Sequence, residues 1–221
     1  VGSITEENCH PINNHTRGDH GGSGDGKHFP AYGRGKWSIS VALNGDIDNY
    51  RRLRRELERD GEIIAPEVTT DTKIIPLAIE RHLQGGCDAA EAFRRAVSGF
   101  EGSHAIAMFT DLEPGKVFLA LRGSGQSIYV GLAADRYLFS SELYGLVEGT
   151  PHFLKMDGET PAITGETGQI FILDEDAPGG PTGIRALSYG GTPLTITPEM
   201  VRRAEITTRD IDRGEYPHYF L

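Results

Sequence analysis

A few short stretches of this sequence combine residue types suited to chemistry. His15, Thr16 and Arg17 stand in a row ahead of a glycine-rich run. A guanidinium in such a loop holds a carboxylate through two parallel hydrogen bonds, although a lone Arg in polar sequence is more often a solvated surface charge. Asn44 and Gly45 close an apolar run. Most such dipeptides only make turns, yet a side-chain amide beside a glycine N–H is also a pair of donors suited to a developing oxyanion. Asp71, within Thr69, Thr70, Asp71 and Thr72, reads first as an N-terminal helix cap and second as a carboxylate for an ammonium group. Residues 21–28 (GGSGDGKH) nearly spell a phosphate loop, but His28 stands where a hydroxyl should reach Mg²⁺ and Phe29 and Pro30 follow where a helix should begin. The stretch reads as a mobile glycine loop. Cys9, His10, His15, His20 and His28 supply donors for Zn²⁺, but their spacing fits no compact finger or helical pair. A zinc hydrolase therefore ranks last, and neither a metal nor another cofactor is expected.

The elements that must carry these groups follow from apolar periodicity. Residues 37–43 (WSISVAL) have strand character, and Asn44 and Gly45 predict a tight turn at its end. Ile47, Tyr50, Leu53 and Leu57 recur at steps of three and four with Gly61 beyond, which predicts an amphipathic helix. A second helix is expected over residues 72–84, where Pro76 must fall in the first turn or distort it. Asp88 and Glu91 form a capping box for a third helix through Phe93, Ala96 and Val97 to Gly99. Short apolar runs at 104–109, 117–121, 128–131, 137–140, 169–173 and 184–188 predict strands, and Pro198 opens a short helical turn. Strands, then clustered helices, then strands is the order of an α+β layered domain.

Length predicts one or two domains, of which one is preferred, with 1–36 a Gly- and His-rich loop segment and 37–221 the folded body. Lys plus Arg number 22 against 32 Asp plus Glu, and the net charge of −10 opposes binding to phosphate backbones and anionic lipid. Nucleic acid is not an expected partner. No apolar run reaches the roughly 18 residues of a membrane span and no leader pattern opens the chain, so no membrane partner is expected. Two cysteines are too few for a disulfide framework, which suggests a cytoplasmic protein with free thiols.

The three motifs occur in one order, HTR, LNG, TTDT, with a helix between the second and third. Together with GSHAIAMF, ALRGSGQSIYVGL, SSEL and the closing GEYPHYF, this combination resembles the class II glutamine amidotransferase domain, the glutaminase half of glucosamine-6-phosphate synthase. The likeness spans residues 14–221 and is densest over 43–146. The resemblance implies a four-layer α-β-β-α sandwich of the N-terminal-nucleophile hydrolase type. It implies that Arg17 holds the α-carboxylate of glutamine, that Asp71 holds its α-amino group, and that Thr16 and His20 also line the substrate site. Asn44 and Gly45 would stabilise the tetrahedral intermediate when a cysteine thiolate attacks the amide carbon, releasing ammonia. In complete relatives that ammonia goes to a sugar-phosphate isomerase domain, which this chain lacks.

The family places a cysteine followed by Gly at its mature N-terminus, where the α-amine assists proton transfer. This sequence opens Val1, Gly2, Ser3, and Cys9 and Cys87 are both internal. The family also has several strands before its HTR motif, so the expectation is a piece of a longer protein with the first strands missing. Such a piece would be inactive as given, and its unpaired sheet edge would favour a homodimer or pairing with the missing segment. HTRGDHGG lacks the aromatic residue and Thr that follow the family's Arg, and His20 with Gly21 matches the family's His-Gly after a one-residue deletion. The alternative reading is a non-catalytic amino-acid-binding or regulatory module that keeps the amidotransferase architecture.

Overall fold

The computed structural model describes residues 3–15, 37–205 and 215. Its strands are β1 (Ile12–Asn13), β2 (Ile39–Gly45), β3 (His104–Thr110), β4 (Lys116–Arg122), β5 (Tyr129–Leu132), β6 (Tyr137–Ser140), β7 (His152–Lys155), β8 (Gln169–Asp174), β9 (Arg185–Ser188), β10 (Pro193–Leu194) and β11 (Arg202–Arg203). Its α-helices are α1 (Tyr50–Arg59), α2 (Ile74–Gln84) and α3 (Ala89–Ser98). One sheet runs β1-β2-β3-β4-β8-β9-β10 and a second runs β11-β7-β5-β6. All pairings within both are antiparallel.

Alternation along the strands sorts side chains between two cores. Ile39, Val41 and Leu43 of β2, Ile106 and Met108 of β3, Phe118 and Ala120 of β4, and Ile170 and Ile172 of β8 pack with the helices. Ala105, Leu119, Leu121, Phe171 and Leu173 point the other way, against Val130 and Leu154 of the second sheet. β4 and β8 are covered on both faces, which is why they read as nearly unbroken apolar runs rather than as alternating ones. The helices form one layer on the larger sheet: α2 is buried along Ile74, Ile75, Leu77, Ile79 and Leu83, whereas α1 buries only Leu57. The described residues thus give an α-β-β arrangement, and no α-helix among them covers the outer face of the smaller sheet.

Several expectations shift in detail. The chain around Asn44 and Gly45 is not a hairpin turn: both residues stay in β2, opposite Ala105 and His104 of β3, and the ladder continues through Asp46 N donating to Ser103 O (3.1 Å). The segment expected to be loop contributes β1, which pairs Ile12 with Val41 and Asn13 with Ser40, so the sheet begins ahead of residue 37. Two residues are too short a run to show periodicity. For the same reason β10 and β11 left no signal, and β7 carries only Phe153 and Leu154 between His152 and Lys155. Asp71 is not the helix cap. Thr70 caps instead, and what it caps is the 3-10 turn at Asp71–Lys73, its side chain accepting from Thr72 N (3.3 Å), while α2 follows with Lys73 at its N-cap and no side-chain cap bond. Pro76 then falls in the first turn of α2, where a missing N–H costs little. Asp88 caps α3 by accepting from Glu91 N (2.8 Å), but the Glu91 carboxylate leaves the capping box for Arg94 and Arg95.

Candidate functional site

The end of the larger sheet that carries Asn44 and Gly45 is a cross-strand row. Gly45 of β2 faces His104 of β3, which faces Arg122 of β4. Gly45 has φ +106°, and a Cβ there would run into Ser103 O and come within 3.1 Å of Gln126 Cγ. Position 45 therefore requires glycine for both its dihedral and its space. Asn44 is exposed beside it. Ser103 also fastens the neighbouring loop: its Oγ donates to Arg122 O (3.2 Å) and accepts from Gly125 N (3.1 Å).

Asp71 comes to this end from the helical layer. Its Oδ2 accepts from Ile47 N (3.0 Å), and Thr70 Oγ1 lies 3.5 Å from Oδ1. Ile47 follows Gly45 by two residues, a span of about 7 Å at most. The structure thus joins two of the sequence motifs, and Asp71 is 6 % exposed at the junction.

Thr16, Arg17 and His20 lie outside the described residues, as do the glycine loop of 21–28 and His28. Their point of departure is described. Buried Lys73, two positions after Asp71, donates through Nζ to Asn13 O (2.6 Å) and His15 O (2.7 Å). Asn14 ties this point to the start of β2: its N donates to Ile39 O (3.2 Å), its Oδ1 accepts from Ile39 N (3.0 Å), and its Nδ2 donates to Trp37 O (2.9 Å) and Glu80 Oε2 (3.0 Å). Burial pushes the Glu80 carboxyl up, against the Asn14 hydrogen bond and the Lys73 charge, which pull it down. Residues 15 and 37, which flank the undescribed stretch, are therefore held side by side at the Asp71 end of α2.

His104 is the group that sequence reasoning passed over as the first residue of a strand. It is fully buried, with Nε2 3.0 Å from Tyr189 Oη and the Phe100 ring edge-on to its imidazole. Its Nδ1 is buried with no hydrogen-bond partner among the described residues. Burial, helped by the nearby Arg122 charge, brings its pKa down to about 4, and burial pushes the Tyr189 phenol up. Arg122 itself donates to Phe100 O (2.6 Å). Of the donors weighed for zinc, Cys9 Sγ contacts Thr5 O (3.3 Å) and His10 Nε2 lies 3.0 Å from Thr72 Oγ1. Among the described residues no three His, Cys, Asp or Glu side chains gather as a metal site would require. No helix among them is long and apolar enough to cross a membrane.

The two antiparallel sheets, with helices on the larger, define an α+β fold of the N-terminal-nucleophile hydrolase type, and comparison with solved structures agrees. The glutamine phosphoribosylpyrophosphate amidotransferase of B. subtilis, solved with ADP and GMP, superposes with a TM-score of 0.60 at 20 % identity over 88 % of this chain and 34 % of its own. A structure described as the allosteric regulatory enzyme of purine biosynthesis gives 0.55 at 21 % identity, over 71 % of this chain and 30 % of its own. Residues 23–148 match the glutamine amidotransferase domain family, and the chain belongs to that family. Among individual proteins, it is similar to the glutamine–fructose-6-phosphate aminotransferase (isomerizing) of Bacillus spizizenii, 31 % identical over 88 % of this chain and 28 % of that protein. The enzyme of the same name from Symbiobacterium thermophilum is 32 % identical over 83 % of this chain and 26 % of its own. The chain thus spans little more than a quarter of the length of these relatives.

Proposed function

We propose that this chain is a glutaminase-type domain that binds glutamine, whose amide nitrogen leaves as ammonia for amino-sugar phosphate synthesis once the nucleophilic cysteine that the resemblance implies is supplied. Arg17 takes the α-carboxylate through its planar fork, assisted by Thr16 and His20, and Asp71 takes the α-ammonium. These contacts leave the side-chain amide facing Asn44 and Gly45, whose N–H groups meet the oxygen as it gains charge. One such donor contributes about 2.7 to 4 kcal/mol in the transition state. The nucleophile the family resemblance implies is a cysteine with a free α-amine. Neither cysteine here is suited to that part: Cys9 bonds a backbone carbonyl in an exposed turn, and Cys87 packs against the helical core between α2 and α3. The acceptor is inferred from the names of the relatives, which are aminotransferases of fructose 6-phosphate.

The observation that carries this reading is the Asp71 Oδ2 bond to Ile47 N (3.0 Å), because it ties the ammonium-binding candidate, across 24 positions, to the residue that follows the oxyanion-binding candidate Gly45 by two. Calorimetry with L-glutamine tests it without requiring turnover. Asp71→Asn and Arg17→Lys are each expected to weaken binding tenfold or more, the second because a lysine keeps the charge but loses the fork. Unchanged affinity in both variants overturns the assignment. Glutamine bound tightly by the parent domain with an intact nucleophile, yet without ammonia release, instead favours the binding-module alternative.

A further inference from the structure

We propose that His10 is a positioning residue for the Asp71 carboxylate, acting through the hydroxyls of Thr72 and Thr70. The function of this device rests on the reading of Asp71 as the ammonium-binding group. Its existence rests on a continuous run of polar contacts: His10 Nε2 to Thr72 Oγ1 (3.0 Å), Thr72 Oγ1 to Thr70 Oγ1 (3.1 Å), and Thr70 Oγ1 to Asp71 Oδ1 (3.5 Å). The two threonines are buried, at 6 % and 1 % exposed, whereas His10 lies at the surface. An exposed imidazole is therefore wired to a buried carboxylate through groups that solvent scarcely reaches.

Counting hydrogens fixes the direction of the chain. Each threonine hydroxyl has one hydrogen to give and two lone pairs to accept with. If His10 carries its hydrogen on Nε2, it donates to Thr72, Thr72 donates to Thr70, and Thr70 donates to Asp71 Oδ1. If the hydrogen sits on Nδ1, Thr72 donates to His10, and the single hydrogen of Thr70 serves either Thr72 or Asp71 Oδ1 but not both. Only the first arrangement gives each of the three contacts a hydrogen, with the last ending on the carboxylate, so it prevails. Ile47 N already holds Oδ2. With Oδ1 held as well, the carboxylate plane is set before an ammonium arrives, although the Thr70 link is the longest of the three. The segment that bears His10 is laced to the same turn. Asn8 Oδ1 accepts from Thr69 N (2.8 Å) and Thr70 N (2.9 Å), Asn8 Nδ2 donates to Glu67 O (3.1 Å), and Ser3 N donates to Thr69 Oγ1 (2.8 Å).

The test uses the full chain and a double-mutant cycle on chemical unfolding with His10→Phe, Asp71→Asn and the pair. The expected result is that the unfolding constant of the double variant departs at least threefold from the product of the single effects; a simple product overturns the proposal. Repeating the cycle on Thr72→Ser should preserve the coupling and on Thr72→Val should abolish it. Coupling that survives Thr72→Val means that the hydroxyl is not the link, and the relay fails. Nitrogen NMR of the His10 ring is expected to show the hydrogen on Nε2 in the parent chain, and an Nδ1–H form refutes the direction assigned. In glutamine calorimetry His10→Phe should raise the Kd three- to tenfold, with Thr72→Ser close to the parent. If Asp71→Asn leaves the Kd unchanged, the ammonium role of Asp71 falls, while the unfolding cycle still decides whether the relay exists.

Discussion

Acidification should unlock this fold at one residue. His104 sits between Gly45 and Arg122 in the sheet, sealed from solvent, with its pKa brought down to about 4 by burial and by Arg122. In the unfolded chain it titrates near 6.5. Between those values the unfolded chain binds a proton that the folded one refuses, so stability is complete above pH 6.5 and drains away as the pH falls to 4. A gap of about 2.5 units at about 1.4 kcal/mol each is worth about 3 kcal/mol in all, of which about 2 kcal/mol falls between pH 7 and pH 5. The assay is urea unfolding of the parent chain and His104→Gln at both pH values. Gln keeps a polar partner for Tyr189 Oη and has no proton to gain. Other titrations, including the opposite contribution of Glu80, are common to both proteins and cancel in the comparison. The parent should lose about 2 kcal/mol more than the variant on going to pH 5, or about 4 to 8 °C in Tm for a chain of this size. Parallel pH profiles would refute the argument and mean that the imidazole is reached by water.

Gly45→Ala should destabilise the domain by about 2 kcal/mol, because it combines a left-handed dihedral with a contact on Ser103 O; thermal melting measures it, and a neutral result would show that the strand end yields. Asn14→Ala should cost about 2 to 3 kcal/mol by stranding Ile39 N and the Glu80 carboxyl, with faster hydrogen exchange at Ile39 as its local sign. Protection at Ile39 equal to that of the parent would contradict the role given to Asn14.

The sequence was most legible where one principle acts alone. Asp88 announced α3 because a cap is a local device, and β4 and β8 showed themselves because strands covered on both faces are apolar at every step. Asn44 with Gly45 misled for a physical reason: the positive φ that serves a hairpin serves equally well a strand end that must pass Ser103 O. Asp71 and Thr70 exchanged roles because both are good caps, and only the arrival of Ile47 N decides which side chain turns inward. β1 and the buried partners of His104 were invisible because they depend on pairings across long separations, such as the 85 positions between His104 and Tyr189. Within the candidate site, the proximity of Asp71 to the Asn44 end could be anticipated only through the order of the motifs.

Asn14 has a wider consequence. By tying the start of β2 to the residues just before His15, it makes the intervening stretch begin and finish at a single doorway on the scaffold. Both flanks are fixed by bonds of their own, Asn14 Oδ1 accepting from Ile39 N and Asn14 Nδ2 donating to Trp37 O. Substitutions between the two flanks therefore leave these ties to the sheet in place. Selection can rework what the domain holds without renegotiating how it folds.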